Sequence, residues 1–253
     1  MFPREHGAYG QLLFPLATAL ALGRPGRAAV LILVAAVCAF LAHEPLLVLL
    51  GQRGARAARE QRTQAWRWFA TSAFAAAVCG AGAFVTMSPA ARVALIVPVA
   101  LAVVLAALIL SRREHSAAGE TLTALTLSSL AWPTAMAAGA SMAIAVTCAL
   151  VFAVALIAGT LSVRAVIMHT RQPPAIGSRV MTAAWSLCSV AALAGLSRAG
   201  IIAAGGPFAA LPMCGLACVL VAFPPSARHL RRVGWALVTA TTATAGILIG
   251  LLR

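Results

Sequence analysis

Of the 253 residues, 62% are hydrophobic and 9% charged, and the mean hydropathy is +0.97. This excludes a water-soluble domain, which could not clothe so large an apolar fraction in polar surface. The formal charge of +14 is carried by arginine alone, since lysine, aspartate and asparagine are absent; because the arginines stand in short loops between apolar stretches, they point to lipid head groups and not to nucleic acid.

Nine apolar segments follow one another, near residues 8–23, 27–50, 66–87, 93–111, 121–139, 141–163, 180–197, 200–223 and 233–252. Most approach the ~20 residues that a helix needs to cross about 30 Å of hydrocarbon. The expectation is therefore an all-α, multi-pass transmembrane bundle of about nine spans, forming one integral-membrane domain over residues 1–253. The first segment is preceded by Arg4-Glu5-His6. The second carries His43-Glu44 inside the otherwise apolar run from Val34 to Leu50. Pro45 follows at once and offers no N–H to the carbonyl of Leu41, so the helix should kink or open beside the two polar side chains.

Trp66 and Trp68 start the third segment as interfacial anchors. The fifth is rich in threonine and serine and contains Pro133, and the eighth carries Gly205-Gly206-Pro207 and Pro212, so either is expected to be broken or re-entrant. At the end of the sixth, Arg164, Met168 and Arg171 recur at helical spacing and set two guanidinium groups on one face. The six cysteines all fall within apolar segments, where they read as small buried hydrophobes. An amino terminus in the cytoplasm places fourteen of the 19 arginines on the inner side and five on the outer, as the positive-inside rule requires; the expected location is the bacterial cytoplasmic, or inner, membrane.

On that topology all five glutamates and all five histidines gather at or near the inner boundary. Three pairs adjoin in sequence: Glu5-His6, His43-Glu44 and Glu114-His115. Ionisable groups at membrane depth are costly and face a cavity or a partner. The candidate catalytic set is accordingly Glu44 as general base or proton carrier, with His43, Glu5, His6, Glu114 and His115. Arg164 and Arg171, with His169 and Glu120, form a candidate anion-binding set, since arginine offers planar bidentate donors. A zinc-protease motif fails because position 47 is Leu47 where a second histidine is required. No local spacing supports a metal site, and nothing in the sequence names a cofactor.

The opening Pro3-Arg4-Glu5-His6-Gly7-Ala8-Tyr9-Gly10, with Pro15 soon after, resembles the start of the YwiC-like family of bacterial integral membrane proteins. Arg112-Arg113-Glu114 through Glu120 is similar to that family's second polar segment. A looser likeness is to UbiA-type prenyltransferases, with nine helices, a cytoplasmic amino terminus and polar loops after helices two and six. Those enzymes hold magnesium and a prenyl diphosphate with aspartate-rich motifs, whereas this chain has no aspartate, so the likeness implies a scaffold and not that chemistry.

The leading expectation is a cytoplasm-facing polar cavity that binds, and acts on, an anionic lipid or isoprenoid-like ligand, with membrane lipids as the surrounding partners. A secondary transporter or permease for a small anion is the rival, on the helix breaks at Pro45, Pro133 and Gly206-Pro207. A non-catalytic assembly factor docking a protein partner is the third, against which the short loops offer little surface beside the ~1,200 Å² of a stable interface.

Overall fold

The computed structural model describes residues 6–171 and 176–253, and every regular element among them is helical. In chain order these are α1 (His6–Ala21), α2 (Arg27–Leu49), α3 (Ala55–Glu60), α4 (Arg62–Thr86), α5 (Pro89–Leu110), α6 (Ala117–Ser129), α7 (Ala131–Ala137), α8 (Met142–Arg171), α9 (Ile176–Arg198), α10 (Gly206–Ala222) and α11 (Leu230–Leu252), with a 3₁₀ turn at Ala227–His229.

Six of them, α2, α4, α5, α8, α9 and α11, are long and apolar enough to cross a membrane, while α1 and α10 are shorter apolar helices. The molecule is thus a multi-pass helix bundle of membrane composition. The expected fifth span is two pieces, α6 and α7, divided at Leu130. Its cause is local. Pro133 has no N–H for the carbonyl of Ser129, while Thr126, Ser128 and Ser129 turn their hydroxyls onto the carbonyls of Leu122, Leu125 and Thr126, a habit that bends helices. By contrast α2 stays helical through Pro45 to Leu49. The short helix α3 has no buried residue and lies in a stretch without the apolar period that marks the others.

Contacts sort the helix ends into two sets. At one end the α1–α2 turn meets the end of α7, through Arg24 N–H on the carbonyl of Ala138 at 2.7 Å. At that end too, the start of α10 at Gly205 lies against Leu251 of α11, and Ala203 N–H reaches Thr147 Oγ1 near the start of α8 at 2.9 Å. At the other end Val166, Leu220 and Val233 pack together and join α8, α10 and α11. The α6/α7 pair therefore runs the length of the bundle, although neither piece is long enough alone. Most arginines stand at this second, arginine-rich end.

The core is centred on α8, with 61% of its apolar window buried against 11–28% in the other five long helices. Around it pack α1, α7, α9, α10 and α11 through Ala19, Ala135, Phe152, Leu193, Ala210, Met213 and Leu248. Twelve of the 21 buried residues in this core are alanine, which lets helices approach closely where lipid removes the hydrophobic drive for association. At 30 residues α8 is about 45 Å long and overshoots ~30 Å of hydrocarbon, so its arginine-bearing last turns emerge from the slab. Helix α4 packs chiefly on α2 and exposes Phe74, Val78, Phe84 and Val85 on its outer flank.

Gly23 marks the tightest approach at the opposite end, where an added Cβ would overlap the backbone of Ala138. Gly23→Ala should therefore cost about 1–3 kcal/mol, read as a lower thermal midpoint in detergent. Gly80→Ala, where nothing lies within 4 Å of the added carbon, should stay within about 0.5 kcal/mol of the parent.

Candidate functional site

Glu44 is buried, with 9% of its surface exposed, although it sits in an apolar helix. Its carboxylate accepts two bonds from one guanidinium: Arg53 Nε at 2.9 Å on Oε1 and Nη2 at 2.6 Å on Oε2. Arg53 is delivered by the way α2 ends. Gly51 adopts φ +70°, its N–H bonds the carbonyl of Val48 at 3.0 Å and that of Gln52 bonds Leu47 at 2.9 Å, the paired closure of a Schellman cap. The chain doubles back, and Arg53 returns to the helix it has just left. Gln52 bridges outward, its Nε2 donating to the carbonyl of Ile109 in the last turn of α5 at 2.8 Å.

Helix α5 ends the same way, with Arg112 N–H on Ile109 O at 3.0 Å and Arg113 N–H on Leu108 O at 2.9 Å. Here the left-handed residue is Arg112, at φ +57°, the non-glycine found in that region among the described residues. An L side chain there costs roughly 1–2 kcal/mol, strain that a glycine would avoid. The chain then turns tightly into α6: Ser116 Oγ donates to Arg113 O at 2.7 Å and accepts from Gly119 N–H at 3.1 Å. Gly119 must be glycine, since an added Cβ would overlap the carbonyls of Glu114 and Arg113.

This turn holds Glu114, whose side chain is 11% exposed, between two imidazoles. His43 Nε2 lies 3.4 Å from Oε2, and His115 Nε2 lies 3.3 Å from Oε1. Both contacts are longer than a strong hydrogen bond, and they become ion pairs when the rings are protonated. A cleft of about 270 Å³ opens over the two helix ends, lined by Leu47, Gly51, Gln52, Arg53, Gly54, Arg112, Glu114 and His115. Two helix C-termini, with their partial negative charge, lie beneath it and favour the basic side chains gathered there.

Four sequence candidates, His43, Glu44, Glu114 and His115, thus meet around the joined ends of α2 and α5. Glu44 has both carboxylate oxygens occupied by Arg53, so its position is that of a counter-ion. Glu120 and Arg164 form a separate pair at 3.1 Å, each about a third exposed. His169 Nδ1 is buried and lacks a partner among the described residues. Glu5 lies outside the described residues, as do the side chains of His6 and Arg171. Among the described residues no group of three or more His, Cys, Asp or Glu side chains could hold a metal ion. Sequence reasoning missed Gln52, Arg53 and Arg112 as cleft residues. Gly51, just past an apolar run, was the usable signal for the first two, while no glycine marks the turn at Arg112.

The model of the YwiC-like protein family matches residues 2–135, just over half of the chain. The chain belongs to the YwiC-like family. No curated protein and no solved structure matches it. The YwiC-like region contains every residue of the cleft, together with Glu120; Arg164 and His169 lie beyond it. Both segments that carried the resemblance, at residues 3–15 and 112–120, fall inside it.

The backbone strain at Arg112 is separable from its side chain. Arg112→Gly and Arg112→Ala both remove the guanidinium, but only glycine relieves the left-handed backbone. The glycine variant should unfold with about 1 kcal/mol more resistance than the alanine variant, as measured by chemical denaturation in detergent.

Proposed function

We propose that this YwiC-like protein is a bacterial inner-membrane protein whose cleft faces the cytoplasm, binds the anionic head of a small or lipid-like molecule and passes protons to or from it. The single observation that carries the proposal is the wall of the cleft, where Arg53, Arg112 and Gln52 face the same space as the Glu114–His115 pair. Arginine and amide donors suit a phosphate or carboxylate, and a carboxylate hydrogen-bonded to imidazole suits general acid–base work. About 270 Å³ falls just below the 300 Å³ at which drug-sized pockets begin, so the recognised group is a head group and not a whole isoprenoid.

Roles follow from the geometry. Glu44 holds Arg53 in place, Arg53 and Arg112 take the anion, and Glu114 moves the proton with His115 at the open side and His43 behind it. His115 has 68% of its side chain exposed against 35% for His43, so it is the group that meets solvent. Orientation rests on the positive-inside distribution, which puts the arginine-rich end in the cytoplasm. A permease is the second proposal, favoured by the break between α6 and α7 and the buried hydroxyls of Thr126, Ser128 and Ser129 beside it, since interrupted helices line substrate paths. Flux of the anion into proteoliposomes would decide for it.

The test is calorimetric titration of the purified protein with inorganic phosphate and, separately, with short-chain phosphatidic acid. Whichever binds should bind about tenfold or more weaker to Arg112→Gly, the loss of one charge-assisted hydrogen bond. Equal affinity of the parent and Arg112→Gly for both probes, or no binding of either, overturns the proposal.

A further inference from the structure

Charge is divided unevenly along the chain. All five glutamates occur by position 120, so the stretch from Thr121 to Arg253 has no acidic side chain, yet it carries eight arginines. Arg164 reaches back across that boundary to Glu120. Arg179 has no such carboxylate among the described residues. It stands one turn into α9, and its Nε donates to the carbonyl of Val221 at 2.6 Å and its Nη2 to that of Ala222 at 3.3 Å. These are end-of-helix carbonyls of α10, which have no partner within their own helix. The two bonds fix the guanidinium but bring only partial negative charge to it.

Beneath that fixed cation runs a groove of about 430 Å³ between α9 and α10, with apolar walls formed by Ile176, Val180, Ala183, Cys218 and Val221. A carbonyl-held cation at the arginine-rich end, above an apolar channel that leads along two helices, has the polarity of an amphiphile with the opposite charge. An exposed surface arginine such as Arg56 differs, since 88% of its side chain is exposed and it pairs with Glu60.

We infer that the α9–α10 groove binds one anionic glycerophospholipid, its phosphate on Arg179 and one acyl chain lying along Val180, Ala183 and Cys218. The anion comes from the lipid because the partners that Arg179 has among the described residues are backbone carbonyls, which carry no full negative charge. Arg179 uses two of its five N–H donors on α10 and keeps the remainder for phosphate oxygens. Basic pockets between transmembrane helices on the cytoplasmic side recognise head groups in this way. The site is separate from the cleft at the ends of α2 and α5 and stands whether or not that cleft binds an anion.

The experiment uses the full chain in nanodiscs of phosphatidylglycerol or phosphatidylcholine, with native mass spectrometry after transfer to detergent. The parent should retain one phosphatidylglycerol in about five- to tenfold preference to phosphatidylcholine. Arg179→Gln should bring that preference to parity, and Ala183→Trp, which fills the groove and leaves the arginine, should abolish retention of either lipid. In the unmodified protein, Cys218 in the groove should react with a maleimide several-fold more slowly in phosphatidylglycerol than in phosphatidylcholine. Equal retention of the two lipids by the parent, or equal labelling of Cys218 in both, overturns the inference; either result is obtained without a variant.

Discussion

A charged side chain in an apolar slab must be matched or moved to its edge, and Glu44 is where this chain meets that demand. The carboxylate sits about one and a half turns inside the end of α2 and is almost fully buried, so its stability rests on the bidentate guanidinium of Arg53. Deleting Arg53 would leave the Glu44 carboxylate buried and unmatched, which destabilises the fold. To satisfy it the chain reverses at Gly51, and the reversal carries Gln52 to the last turn of α5. The junction of α2 with α5, and so the cleft over it, follows from one ion pair and one left-handed glycine.

From that junction outward, the two halves of the molecule handle charge differently. The family-matched part, residues 2–135, contains every glutamate and assembles polar groups against one another: Glu44 on Arg53, Glu114 between His43 and His115. The later part has arginines and no acids of its own: Arg164 reaches back to Glu120, and Arg179 is held by backbone carbonyls at the end of α10. The first arrangement makes an enclosed site with charge of both signs. The second leaves fixed positive charge at the edge of the bundle.

How much of this could be read from sequence depended on whether a feature was written locally. Hydrophobic runs are local, and eight of the nine expected segments appear as single helices. Pro133 among threonines and serines foretold the division into α6 and α7. At Pro45 α2 continues as helix to Leu49, because one missing N–H is tolerated where the remaining bonds hold. Helix α3 was invisible, having no apolar face to signal it. At the site, the adjacent pairs His43-Glu44 and Glu114-His115 were legible as rare polar groups at membrane boundaries. That Arg53 would return to Glu44 across nine positions, or that Arg164 would be taken by Glu120 across 44, is written in turn geometry and helix packing, which no spacing rule expresses. The likeness to UbiA-type enzymes rests on helix number and loop polarity alone.

The central claim is that the ends of α2 and α5 meet in one polar cleft at the arginine-rich end. In a cysteine-free background, His43→Cys paired with Glu114→Cys in native membranes and treated with a short bifunctional thiol reagent tests it most directly. Efficient intramolecular cross-linking is expected of that pair, and none of Arg24→Cys with Glu114→Cys, whose positions lie at opposite ends. A protein that inserts normally but fails to cross-link 43 to 114, or cross-links both pairs alike, would contradict it.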